Sequence, residues 1–196
     1  MNNQNSFLPQ GYEKPQSNTN YFKFKDGDNR FRILSNAVIG FIYWNNESKP
    51  VRTKELPQNL INPKINQSTG QADKPKHFWA FVIFDYSDTK FKVMEITQKN
   101  IQIELYNFHM DEQWGDPKGY DINIKRAGQG IETKYSVMPS PPTPLSPQAK
   151  TDYEAMNVDL EQLFANGDPF ANNNQPQTTT EQEQIDIEEP PIPEFN

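Results

Sequence analysis

The chain has 196 residues, 34% hydrophobic and 23% charged, with a formal net charge of −7 and no cysteine. That length suits one domain plus an extension; the lack of cysteine excludes disulfides and thiolate metal sites, and no apolar run nears the roughly 20 residues that span a bilayer. Charge is split along the chain: residues 1–138 hold 18 Lys/Arg against 15 Asp/Glu, a net +3, whereas residues 139–196 hold one Lys and 11 acidic residues, a net −10.

Residues 1–20 are rich in Asn, Gln, Ser and Pro and lack periodicity. They carry neither a basic nor an apolar leader segment, so a mobile arm and a cytoplasmic location are expected. The turn signal Asp26-Gly27-Asp28-Asn29 leads into a short strand, Phe31 to Leu34. A second strand runs from Val38 to Trp44, with Gly40 in its middle as an expected bulge or bend. Residues 45–76 are polar, basic and Pro-punctuated, and read as a long loop of the functional or mobile kind. Phe78 to Tyr86 is aromatic and β-branched throughout and should be a central strand. It turns at Ser87-Asp88-Thr89 into a returning strand, Phe91 to Ile96. Thr97 is placed to cap a helix whose apolar face is Ile101, Leu105 and Phe108. Gly115-Asp116-Pro117 ends that element. Strands Tyr120 to Lys125 and Thr133 to Met138 close the domain across a Gly128-Gln129-Gly130 turn.

A mainly β domain over residues 21–138, with many short strands around one helix, argues for a small barrel. A five-stranded oligonucleotide-binding barrel with an added hairpin fits the order, and a β-sandwich fits almost as well. From Pro139 a Pro-rich linker begins, followed by an acidic tail of disordered character over 139–196. A short amphipathic helix is expected within it over 152–165.

Aromatic and basic residues interleave on the strands and on the loop between them. Tyr43, Trp44, Trp79, Phe84 and Tyr86 are candidates to stack on bases, each stack contributing roughly 1–3 kcal/mol. Arg30, Arg32, Lys49, Arg52, Lys54, Lys74 and Lys76 are candidates to meet phosphates. Period-two alternation splits Phe78, Ala80, Val82 and Phe84 from Trp79, Phe81 and Ile83. One set is core, and the other is either an exposed binding surface or covered packing. The acidic tail ends in apolar residues, Ile192, Pro193 and Phe195, which solubility does not require; these are the candidate partner-binding residues.

Signals for catalysis are weak. His109 with Glu112 and His77 with Asp85 read as a helix-end and a loop-edge histidine, and no nucleophile, phosphate-loop or paired-carboxylate pattern is present. No enzyme activity, metal or cofactor is expected.

The segments LPQGYEKP, FRILSNAVIGFIYW, KHFWAFVIFDY, MEITQKNIQ and WGDPKGYDINIKRAGQGIETKYSV occur in an order that resembles phage-type single-stranded DNA-binding proteins, over most of residues 7–138. The resemblance implies an oligonucleotide-binding (OB-fold) barrel that coats single strands in viral DNA replication, recombination and repair. It also implies an acidic C-terminal tail that contacts replication or recombination proteins. Ile192-Pro193 and Phe195 resemble the acidic Ile-Pro-Phe tip of bacterial single-stranded DNA-binding proteins, except that Glu194 precedes Phe195 and Asn196 follows it. Some phage relatives hold a structural zinc with cysteines, which this chain lacks. The alternatives are an interaction scaffold with a plain β-domain and an RNA-binding chaperone on the same fold.

Overall fold

The computed structural model describes residues 20–171. The rest of the expected N-terminal arm, and residues 172–196 with Ile192, Pro193 and Phe195, lie outside the described residues. Seven strands form one antiparallel sheet: β1 (Gly27–Ile33), β2 (Val38–Trp44), β3 (Pro50–Thr53), β4 (Lys76–Asp85), β5 (Lys90–Ile96), β6 (Asp121–Ala127) and β7 (Lys134–Ser140). Helix α1 (Lys99–Met110) lies between β5 and β6, and helix α2 (Pro147–Ala155) follows β7. The expected mainly β architecture is therefore present.

The strand order is β3-β2-β4-β1-β6-β7, with β5 on the other edge of β4. As its aromatic and β-branched run requires, β4 is the centre. β1 and β2 both lie along one edge of it, Ile33 opposite Ile83 and Val38 opposite Ala80. Four residues, 34–37, thus lie between these pairs on one side against two, 81 and 82, on the other. The two extra residues make a bulge over Leu34–Ala37, pinned where Leu34 N–H donates to Val82 O (2.9 Å) and Val82 N–H donates to Ser35 Oγ (2.9 Å). A bulge bends its strand and sharpens local twist. Beyond it, β1 recruits β6 while β2 recruits β3, so the sheet forks and is not closed into a barrel.

Gly40 is not the bend. It sits in register opposite Phe78. A Cβ there would collide with the Thr53 carbonyl oxygen and approach the Phe164 ring to 2.9 Å, so the missing side chain is what lets two neighbours close in. The expected Asp26–Asn29 turn is reduced to a bend at Asp26, and β1 starts at Gly27. Gly27 takes φ +84°, and the buried Asn29 amide donates to the carbonyls of Lys25, Gly27 and Ile124. The supposed long loop contains β3 and a finger closed by the pairs Asn45–Pro63 and Ile65–Ala72. Thr97 does not cap α1; Gln98 holds that place without a side-chain bond.

Both faces of β4 are buried. On one, Phe81 and Ile83 join Phe31, Ile33, Met94, Ile96, Ile122 and Ile124 under Ile101 and Leu105 of α1. On the other, Phe78, Ala80 and Val82 join Ile42 and Val93 under Leu160, Leu163 and Phe170. Those last three lie in the stretch expected to be tail. Order therefore runs past Met138: a 3₁₀ turn over Leu160–Ala165 replaces the end of the expected 152–165 helix, and α2 starts earlier, with Ser146 Oγ accepting from Ala149 N–H as its cap (3.1 Å). Fully burying a side chain such as Leu163 stabilises by roughly 1.5–3 kcal/mol, enough to hold a short segment that local propensity would leave loose. Residues 20–22 add to the same body, with Val93 N–H donating to Asn20 O (2.7 Å) and Phe22 N–H donating to Val93 O (2.8 Å).

Candidate nucleic-acid interface

Where α1 and the C-terminal segment both stop short, part of the sheet stays open. Residues directly opposite in an antiparallel pair share a face. The register sets Ile39 against Trp79, Phe41 against His77 and Thr53 against Phe41. One face thus carries Ile39, Phe41, His77 and Trp79 in a stripe. Ile39 is 57% exposed, His77 is exposed, and the Phe41 and Trp79 rings are half-buried. The Phe41 and His77 rings meet edge to face at 5.4 Å, which holds both upright on the sheet. Lys74 precedes β4, and Lys76, its first residue, stands opposite the buried Ile42 and so on the face away from the stripe; both are exposed and form no ion pair among the described residues. Trp44, at the end of β2, is 46% exposed, and by alternation from Ile42 it lies on the face opposite the stripe.

The other expected contact residues are placed differently. Tyr43 is 4% exposed and Phe84 7%. The Tyr43 hydroxyl accepts from Ile61 N–H (3.2 Å), bracing the finger, and Phe84 packs between the Tyr86 and Phe91 rings. Neither offers a ring face to a strand. Arg30 and Arg32 converge on Asp121, whose side chain is fully buried. Arg30 Nη2 donates to Oδ2 (2.7 Å) and Arg32 Nε to Oδ1 (2.6 Å), joined by the Tyr86 hydroxyl (3.0 Å) and Thr143 N–H (3.1 Å). Burial pushes the Asp121 pKa up, and the hydrogen bonds from Arg32, Thr143 and Tyr86 outweigh it, so the carboxyl titrates below the usual carboxylate range. Burial and the bond to Asp121 push Tyr86 up to about 12. The Arg30 guanidinium also lies 5.4 Å over the Tyr86 ring. This cluster pins the Pro-rich stretch after β7 to the sheet.

Arg52 Nε donates to Glu95 Oε2 (2.6 Å) with little exposure of either side chain. Lys54 pairs with Glu161 (2.7 Å) and caps the Phe164 ring at 5.5 Å, so it serves the C-terminal segment. Lys49 pairs with Glu47 (2.8 Å) at an exposed tip, where such a pair contributes little. Of the cations expected to meet phosphate, Lys74 and Lys76 remain uncommitted.

Ile39, Phe41 and His77 are not among the contact residues expected from the sequence. Only the cross-strand register brings them together. Tyr106 and Lys118 are not among those expected residues either. These two flank a cavity of about 260 Å³ between α1, the β1–β2 bulge and the 115–118 turn. No group of three or more His, Cys, Asp or Glu that could hold a metal occurs among the described residues, and none of their helices is long and apolar enough to cross a membrane.

No family model and no solved structure matches the chain. It is similar to a probable ssDNA-binding protein of Escherichia phage T5, at 28% identity over 143 residues, covering 60% of this chain and 53% of that protein. The chain thus spans about half the length of that curated relative.

Proposed function

We propose that this chain binds single-stranded DNA without strong sequence preference and without catalysis. The observation that carries this reading is the uncovered stripe of Ile39, Phe41, His77 and Trp79, with the unpaired Lys74 and Lys76 at the start of β4, Lys76 from the opposite face. A single strand presents phosphates and base faces, and this surface answers each with the matching chemistry: cations for the first, rings for the second. Every base has a π-face, so stacking of this kind tolerates any sequence. The similarity to the phage T5 protein supports the same partner.

The body that holds this surface is, in our reading, an oligonucleotide-binding barrel left partly open. Strands β1, β4, β5, β6 and β7, with α1 between β5 and β6, are its five strands and helix, and β2–β3 is an added hairpin. The role is to coat and protect strands during phage DNA replication, recombination and repair in the host cytoplasm. Residues 172–196, with Ile192, Pro193 and Phe195, recruit replication or recombination proteins.

Fluorescence anisotropy with a labelled strand, its matched duplex and the matched RNA tests this. Tight binding to the single DNA strand, weakening steeply with salt, is expected, and Phe41→Ala and Trp79→Ala should each cost roughly 1–3 kcal/mol of affinity. Equal affinity for the duplex, or no effect of either substitution, would refute it.

A further inference from the structure

The cavity beside Trp79 has features that a stacking surface alone does not need. Its floor is apolar, built by Ile33, Phe81 and Leu105. Trp79 and Tyr106 stand on its sides, Tyr106 being 54% exposed, and Asn36, His109 and Lys118 line its rim. Lys118 Nζ is held at that rim by Asn36 Oδ1 (2.6 Å) and Asp116 Oδ2 (3.3 Å). At about 260 Å³ the space is below the roughly 300–1,000 Å³ of sites that enclose drug-sized ligands. It suits one planar ring system.

From this geometry we infer that the cavity is a single-nucleobase pocket. It rests on the reading of the open stripe as the strand-binding surface, because Trp79 belongs to both: a strand lying along Phe41 and His77 reaches the pocket without a gap. The occupant is one base turned out of the stack, lodged against Trp79 and Tyr106 on the apolar floor. Lys118 faces the flanking phosphate, and the Asn36 amide and His109 ring meet the base edge. Stacking on the open stripe is blind to base identity. A base in the pocket presents its edge to the polar side chains of the rim, whose donors and acceptors match some base edges and not others. The pocket is therefore where an otherwise sequence-tolerant binder distinguishes one base from another.

The experiment compares homopolymeric oligodeoxynucleotides of equal length (thymine, cytosine and adenine) on the full chain, on Ala37→Leu and on Tyr106→Ala. Ala37 and Tyr106 are exposed at the pocket mouth, so neither change threatens the core. The unaltered chain should rank the homopolymers with a spread of about fivefold or more, the low end of what one base contact contributes. Both variants should collapse that spread while still binding all three. A strand carrying one photoreactive 5-iodouracil should crosslink to Trp79 or Tyr106. Strong binding with no spread, a spread that both variants keep, or crosslinks only to other residues would overturn the pocket and leave the strand-binding reading standing. Loss of all binding by the unaltered chain would overturn both.

Discussion

Replacing Arg32 with Met separates a phosphate-contacting role from a structural one. The Asp121 carboxylate is fully buried and takes four donors, of which Arg32 is the more buried of two cations. Removing one partner of a buried ion pair costs about 3–5 kcal/mol when the other charge is stranded. Asp121 is not stranded here, because Arg30, Tyr86 and Thr143 remain. The loss is then nearer that of one charge-assisted hydrogen bond, about 2–3 kcal/mol. For a body of this size that lowers Tm by about 4–12 °C. Urea unfolding followed by circular dichroism measures it. The pH dependence has a definite sign. The Asp121 pKa is depressed in the folded state, so its stabilisation is complete above the unfolded value near 4 and is lost as pH falls through the depressed value. The gap between unaltered and variant chains should narrow as pH drops below about 4. Affinity for single-stranded DNA, measured where both are folded, should change little. Unaltered stability together with weaker binding and a salt slope reduced by about one would refute the structural assignment.

Leu163→Ala should cost about 2–5 kcal/mol in urea unfolding, because its side chain fills the core under Phe78, Ala80 and Val82. Its neighbour Glu161→Gln breaks only an exposed pair with Lys54 and should cost at most about 1 kcal/mol; similar losses for the two would contradict docking of this segment on the sheet. Gly40→Ala should destabilise by about 1–3 kcal/mol in the same assay, since β3 and Phe164 must move to admit a methyl group. Lys92→Met leaves the buried Asp85, which Lys92 holds at 2.7 Å, with the Ser87 N–H but no cation beside it, and should cost about 3–5 kcal/mol, with a shallower acid limb in the pH-stability profile.

Much of the fold was legible because it rests on local pattern. The run from Phe78 to Tyr86 is too aromatic and β-branched to be anything but a central strand, and the hairpin at Ser87-Asp88-Thr89 follows from its turn residues. Ile101 and Leu105 share a helix face at any tertiary arrangement, and both are buried. Errors cluster where a distant partner decides. Gly40 reads as a bend in isolation, yet its function is set by Thr53 and Phe164, 13 and 124 residues away. The segment from Pro147 to Phe170 has low hydropathy and scattered apolar residues, so it reads as tail. Leu160, Leu163 and Phe170 become core only because β4 offers them a second apolar face.

The candidate site divides in the same way. Composition and local pattern determined that this chain combines rings and cations in a mainly β body with an acidic extension, because those properties belong to short stretches of the sequence. Which rings and cations are free was decided only by tertiary structure. Arg30 and Arg32 look like phosphate contacts until Asp121 arrives from 89 to 91 residues downstream and occupies them. Ile39, Phe41, His77 and Trp79 are unremarkable singly and become one stripe through the β2–β4 register. The physical reason is common to both cases. Charge and hydropathy belong to a residue, whereas availability belongs to its surroundings, and those are supplied by parts of the chain far away in sequence.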